Sequence, residues 1–370
     1  MRFVQVCGVA VACAVSVAHG EVLLVPDHYS TIQAAINVSV SGDIVQVQPG
    51  IYNELIDFSG KAITVTGAGS SKTTIDGTGL TGPVVRFASE EGAGSVLEGF
   101  RIGHGTGEIV SDPVFGNVLC GGGVFVRSAS PTIRNCLLEN NVTWGGGGMC
   151  INSGTPTISD CVFRNNVVEG HGGGLYNINI ARPVIERCLF EGNTASWGSG
   201  MTCTVYSDAT IIECDFVANT TYNVGGGIFI RSSSSPTVTA CTFTNNLQID
   251  NPLGSGGGIC VYGSGTGGGP CYPVVTDCLF EGNTVNGDGG GMSNAYGSYT
   301  TITNCIFREN TCGRDGGGAA AVGENDPDVP SNVTVSDCLF EFNTAADRGG
   351  GFFSRRSEPS VMNCTIRENT

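Results

Sequence analysis

The chain is short of charge, and shortest of positive charge. Of its 370 residues 14% are charged, with 17 Lys and Arg against 33 Asp and Glu, for a formal net charge of −16. Nucleic acid and anionic lipid both demand clustered basic side chains, so neither is an expected partner. Acidic polysaccharide would need local positive charge or bridging cations. Also missing is any collagen-like triplet, although 58 residues are glycine. Beyond the first twenty residues no apolar run is long enough to span a bilayer, so no transmembrane segment is expected in the mature chain.

Those first twenty residues read as a secretory signal. Arg2 supplies the positive start, Val4 to Val17 an apolar stretch holding Cys7 and Cys13, and Ala18 and Gly20 the small residues of a cleavage site. Fourteen or so apolar residues are too few for a comfortable membrane anchor. The expected location is therefore secreted, extracellular or on the outer cell surface. The chain divides into a signal peptide (1–20), an N-terminal cap with the first coils (21–82), and repeats (83–370).

The repeat emerges when the cysteines are aligned. It reads P-T-I-R-N-C-L-L-E-N-N from Pro131, P-T-I-S-D-C-V-F-R-N-N from Pro156 and P-V-I-E-R-C-L-F-E-G-N from Pro183. The aligned cysteines are Cys136, Cys161, Cys188, Cys214, Cys241, Cys278, Cys305, Cys338 and Cys364. Nine copies at a period of 25 residues or more are the mark of a solenoid. Cys161 and Phe163 lie two apart and share one face of a strand. Ile158 lies three before the cysteine, so strict alternation breaks and a corner must fall between. Asn or Asp precedes six of the nine cysteines, and such side chains tolerate the left-handed backbone of a sharp corner.

Five residues past each cysteine stands an asparagine: Asn141, Asn166, Asn193, Asn219, Asn246, Asn283, Asn310, Asn343 and Asn369. Stacked coils would place these amides about 4.8 Å apart, within reach of one another as a hydrogen-bonded ladder. A variable loop follows, then a glycine run such as Gly172-Gly173-Gly174 before an apolar strand. A phosphate-cradling loop would need a helix and usually a Lys after the glycines, and neither follows. Glycine here lets the backbone turn and pack against the next coil. The expected fold is all-β: a single-stranded right-handed parallel β-helix of about ten coils. Fifteen cysteines remain after the signal, and export favours disulfides. Side chains stacked in one direction do not readily adopt the disulfide dihedral, however, so the ladder cysteines read as buried small hydrophobes. Cys260, Cys271 and Cys312, in or near loops, are the better candidates for pairing.

Ser30-Thr31-Ile32-Gln33 predicts a capping box, with Ser30 at the N-cap of a short helix ending near Val38 and Gln33 reaching back. That helix would cover the first coil and protect its edge. At the other end the chain stops at Thr370, before the expected glycine run, which reads as an incomplete C-terminal end.

The opening V-P-D-H-Y-S-T-I-Q-A-A-I, followed by G-D-I-V-Q-V-Q-P-G-I-Y-N-E, resembles the N-terminal region of bacterial pectin-lyase-like β-helix proteins. The F-x-x-N and G-G-apolar pair, as in Phe163 to Asn166 and Gly173-Gly174-Leu175, resembles repeats of chlamydial polymorphic outer-membrane proteins. The membrane β-barrel that ends those proteins has no counterpart in this sequence. These resemblances imply the fold and a setting outside the cell, and β-helices host lyases, hydrolases, adhesins and stalks alike.

The chemistry of those enzymes is hard to find. Pectate lyases of this fold carry R-x-P-x-x-R; the nearest segment, Arg182-Pro183-Val184-Ile185-Glu186-Arg187, has different spacing and its proline belongs to the repeat. Polygalacturonases carry G-H-G, present at Gly103-His104-Gly105 and Gly170-His171-Gly172, but its acidic partner motifs are missing. No marked pair of carboxyl groups suggests glycoside cleavage. The loops after the ladder asparagines hold Trp144, His171, Trp197 and Tyr222 in early coils, and Asp288, Arg314, Asp315, Asp347 and Arg348 in later ones. Trp144, Trp197 and Tyr222 follow their asparagines by three or four residues, so stacking should align them on one edge for contact with sugar rings. Asp288 and Asp315 could offer oxygens to calcium, the one cofactor considered. A solvated loop edge is the plain alternative. The expected function is a non-catalytic scaffold or adhesin-like protein whose partner is an extracellular polysaccharide or another surface protein. The alternative is a pectate-lyase-like polysaccharide lyase using calcium on acidic polysaccharide.

Overall fold

A computed structural model describes residues 20–112, 115–263, 269–323 and 331–370. Most of the expected signal peptide, including Arg2, Cys7 and Cys13, lies outside the described residues. Beyond it the chain winds into a parallel β-helix. Four parallel sheets run along it. The first has 13 strands, from Val22–Val25 to Ser360–Met362; the second has 12, from Gly50–Tyr52 to Thr365–Arg367. The third has 8 short strands, from Val142–Thr143 to Thr344–Ala345, and the fourth has 11, from Ile56–Asp57 to Phe352–Arg355. No helix among the described residues is long and apolar enough to cross a membrane.

The 13 strands of the first sheet correct the expected coil number of about ten. Four early coils lack the cysteine that marks the other nine. Leu97 pairs with Ile133 and Ile102 with Leu138, which sets Phe100 in the cysteine slot. Any apolar side chain that fills the volume serves there, so a cysteine alignment passes over these coils.

Two left-handed corners shape each repeat. The residue before every ladder cysteine has φ between 50° and 56°, including Arg187, Glu213 and Ala240, where no Asn or Asp stands. A second corner precedes every ladder asparagine, with φ from 51° to 64°, at residues as unlike as Asn140, Gly192, Ala218 and Phe342. A non-glycine residue held there costs on the order of 1 kcal/mol or more. The coil above and the coil below impose the turn.

Between corners, inward side chains stack in columns. Phe163, Phe190, Phe216, Phe243, Phe280, Phe307 and Phe340 form one, with neighbouring ring centroids 4.6–4.8 Å apart and planes within 7° of parallel. The asparagines form another. Each side-chain Nδ2 donates to the next Oδ1 at 2.9–3.0 Å, from Asn141 through to Asn369, and each Oδ1 also accepts the backbone N–H of the preceding ladder residue. The second Nδ2 hydrogen goes to a carbonyl one coil further back, as from Asn193 to Phe163 at 2.9 Å. A buried amide that satisfies all its hydrogen-bonding groups incurs no desolvation penalty for an orphan. The ladder cysteines line a third column; Cys161 donates to the Ser159 carbonyl at 3.2 Å. All described cysteines are free thiols, and Cys260, Cys271 and Cys312, expected to pair, are buried and unpaired.

The capping helix spans Ile32–Val38 and buries Ile32, Ala35 and Ile36 against the first coils. Its N-cap is Thr31, one residue later than expected, and the Thr31 hydroxyl accepts the Ala34 N–H at 3.1 Å. Gln33 does not reach back; it bonds Asn37 and the Asp57 backbone. The helix start is instead satisfied by Glu54, whose carboxylate takes the Ile32 and Gln33 N–H groups at 2.9 Å each. A carboxylate from the next coil both caps the helix and ties it down.

Candidate functional site: a groove beside the asparagine ladder

One element was not expected from the sequence. An antiparallel hairpin, Glu108–Asp112 with Gly116–Cys120, leaves the coil between Gly105 and Gly121. Its Val110, Val118 and Cys120 bury against Phe125, Cys150, Tyr176 and Ile178. The Tyr176 hydroxyl donates to Asp112 at 2.6 Å, and Thr143 donates to the Leu119 carbonyl at 2.8 Å. Both bonds hold the hairpin down across the coils that follow.

Between this hairpin and the third sheet lies an open groove of about 1000 Å³. Asn117, Val118 and Leu119 form the hairpin wall. Val142 and Val167, each one residue past a ladder asparagine, form the floor. Trp144, Glu169, Ser196 and Tyr222, each three past one, stand along it on four successive coils. Strand alternation explains the set: offsets of one and three from the buried asparagine point outward. Tyr222 is 42% exposed and Trp144 half-buried, its indole lying over Gly170, where a Cβ would fall 2.6 Å from the ring.

The expected single ridge of aromatics is therefore corrected. Trp144 and Tyr222 share the groove three coils apart, about 14 Å at ~4.8 Å per coil. Trp197, four residues past its asparagine, and His171, five past, bridge to one another in a column behind. Their rings stack at 4.8 Å, and Phe115 of the hairpin turn packs on Trp144, His171 and Trp197 at 5.1–5.9 Å. His171 is fully enclosed, and neither ring nitrogen has a hydrogen-bond partner among the described residues. It supports the groove from behind and does not line it.

Burial, with a smaller contribution from Arg231, holds the His171 imidazole well below its ordinary value of 6.5. The folded protein keeps it neutral while the unfolded chain takes up a proton below about pH 6.5. Its contribution to stability is thus complete above that pH and is lost as pH falls. We expect stability to fall as pH drops below about 6.5, with a slope approaching at most ~1.4 kcal/mol per pH unit. Urea titrations of the parent and of His171→Phe at both pH values check this. Equal losses in the two proteins would show that His171 does not titrate in this way.

Asp288 and Asp315, considered for calcium, sit on adjacent coils, with the Asp315 N–H donating to Asp288 Oδ1 at 3.2 Å. Arg348 forks onto both Asp315 oxygens at 2.9 and 2.8 Å, and Arg314 and Arg355 approach Asp288 at 3.7 and 3.9 Å. Burial raises the Asp288 carboxyl above its ordinary value despite those guanidinium groups. Both carboxylates are thus engaged with arginine. No cluster of three or more His, Cys, Asp or Glu side chains suited to a metal ion occurs among the described residues. Arg187 is likewise committed, to Asp160 at 2.8 Å and Glu186 at 3.1 Å. His104, in the other Gly-His-Gly, meets Asp76 through Nδ1 at 2.9 Å. Burial works to raise Asp76, but hydrogen bonds from Thr78 and His104 outweigh it and hold the carboxyl below its ordinary value.

The right-handed β-helix region family matches residues 99–268 and again 227–370, well over half of the chain, and the chain belongs to that family. The match is to the β-helix as a class and does not single out the chlamydial repeats. Among solved structures the chain is similar to a mannuronic acid-specific polysaccharide family 6 lyase from human gut microbiota, at 14% identity over 90% of this chain and 84% of that one, TM-score 0.49. It is also similar to the Agl-KA catalytic domain, at 13% identity over 90% of this chain, TM-score 0.46. A third is the tailspike gp49 of Acinetobacter baumannii bacteriophage Fri1, a capsular polysaccharide depolymerase, at 13% identity over 95% of this chain and 62% of that one, TM-score 0.38. The chain spans 64% of the length of the Agl-KA domain. No curated protein matches the sequence.

Proposed function

We propose that this chain is a secreted or cell-surface β-helix that holds an extracellular polysaccharide in the groove, as a scaffold or adhesin-like protein and not as an enzyme. The observation that carries this reading is the alignment of Trp144 and Tyr222 along an open groove with an apolar floor and polar points at Asn117, Thr106 and Ser196. Flat aromatic faces pack on the apolar faces of sugar rings while neighbouring polar groups bond the hydroxyls. Rings three coils apart suit separated sugars of one strand. Within the groove itself Glu169 is the one carboxylate among the described lining residues, and no second one stands beside it as paired glycoside hydrolysis requires. The leader at 1–20 would deliver the protein to such a ligand.

Calorimetric titration with soluble polysaccharides tests the reading. Tyr222→Ala should weaken binding at least tenfold while leaving the melting temperature within a degree or two, since that side chain is 42% exposed and lies outside the buried clusters. Trp144→Phe should weaken it less and spare the packing against Phe115. A Tyr222 variant that binds as tightly as the parent would refute the assignment, and product release from a bound polysaccharide would refute the non-enzymatic role.

A further inference from the structure

We propose that the groove continues around the asparagine corner into a second, polar subsite centred on His104, and that the two together select a neutral polysaccharide over a uronate-bearing one. This rests on the groove being a glycan site. The second depression, about 200 Å³, is lined by Thr74, Asp76, Arg101, Gly103, His104 and Glu139, among others. His104 lies two residues before Thr106 of the groove, and Asn140, which also lines the depression, two before Val142. Gly105 and Asn141 form the corner between, tied by the Gly105 N–H to Asn141 Oδ1 at 3.0 Å. One extended chain can therefore pass from one depression to the other.

The subsite owes its shape to a missing side chain. Asp76 pairs with Gly103 and Gly103 with Glu139, so the three occupy one outward column. Gly103 leaves the middle position empty, and the two acids stand two coils apart, ~10 Å between Cα atoms, across that gap. Each acid has its own partner: Asp76 Oδ1 faces His104 Nδ1 at 2.9 Å, and Glu139 faces Arg101 at 3.1 Å. Asp76 Oδ1 also takes the Thr78 N–H and hydroxyl, leaving Oδ2 without a hydrogen-bond partner among the described residues. The gap thus presents two carboxylate acceptors beside one guanidinium and one imidazole, a mix of acceptors and donors that suits vicinal hydroxyls. It offers no surplus positive charge to a carboxylate.

The groove offers none either. Its described lining holds Glu169 and no Lys, Arg or His, within a chain of net charge −16. A polyuronate would meet like charge both locally and at long range. A neutral chain would meet aromatic faces and then a hydroxyl-binding pocket.

The test uses the whole protein, titrated with a panel of soluble glucans, mannans and xylans beside polygalacturonate and alginate, at low and high salt. The expected result is binding to a neutral member at least tenfold tighter than to either polyuronate, with the gap narrowing as salt rises. His104→Asn, which keeps a residue tolerant of the left-handed backbone, and Glu139→Gln should each weaken neutral binding severalfold with unchanged melting. Glu169→Lys should strengthen polygalacturonate binding in a salt-sensitive way. Polyuronate bound as tightly as any neutral glycan, or Glu169→Lys without effect on it, would overturn the selectivity. Neutral binding untouched in both subsite variants would overturn the second subsite. Binding to neither class would overturn the groove reading itself.

Discussion

Asn219→Ala should destabilise the protein by about 3–5 kcal/mol, read as a shift of the urea midpoint followed by circular dichroism. The Asn219 amide donates to Asn246 Oδ1 at 3.0 Å and the Phe190 carbonyl at 2.9 Å, and accepts both the backbone and side-chain N–H of Asn193 at 3.0 Å. Alanine would leave the Asn193 backbone N–H and one Asn193 Nδ2 hydrogen buried without their acceptor. Each buried orphan costs roughly 1–3 kcal/mol, and the lost side-chain volume adds to that. Thr244→Ala, on the outer face of a neighbouring coil, should change stability by less than about 0.5 kcal/mol. A ladder variant as mild as that control would mean the amides stack without supporting the coils.

Phe216→Ala should cost a similar ~3–5 kcal/mol, the range for truncating a buried aromatic side chain. The ring lies fully buried between Phe190 at 4.7 Å and Phe243 at 4.8 Å, nearly parallel to both. Truncation opens a cavity that the rigid coil spacing prevents from collapsing. Phe216→Leu keeps most of the volume and should cost no more than about 1.5 kcal/mol beyond the lost stacking. If leucine proves as damaging as alanine, ring stacking outweighs volume in this column.

Much of this architecture is legible because a solenoid writes the same physics repeatedly. One Asn at one offset from one Cys, nine times over, is hard to reconcile with anything but stacked coils, and the corner before the cysteine can be read from Asn135 or Asp160. The corner before the asparagine cannot. It is occupied by Asn140, Ala218, Glu309 and Phe342 alike, because pairing with both neighbouring coils overrides the local preference of the side chain. The hairpin is hidden for a different reason. Its signal is the long interval between Phe100 and Cys136, visible only once Phe100 is known to stand in a cysteine slot. Within the site, Trp144 and Tyr222 share one groove, whereas Trp197 and His171 stand behind it and not beside them. Parity is the clue. In an alternating strand an offset of three from the ladder asparagine faces out, and an offset of four or five has already entered the turn toward the glycine run. Asp288 and Asp315 share the inward slot of His171, which is why they meet arginines and not solvent.

The column three residues past the ladder asparagines has its pitch set by the backbone and its content by single residues. Trp144, Glu169, Ser196 and Tyr222 are followed by Ile249 and Asn286 at the same offset on the next two coils. Exchanging one of these side chains edits one position of a linear array and leaves the interval to its neighbours untouched. The outer face can thus be rewritten one rung at a time at a fixed interval, with the inner columns indifferent to the change.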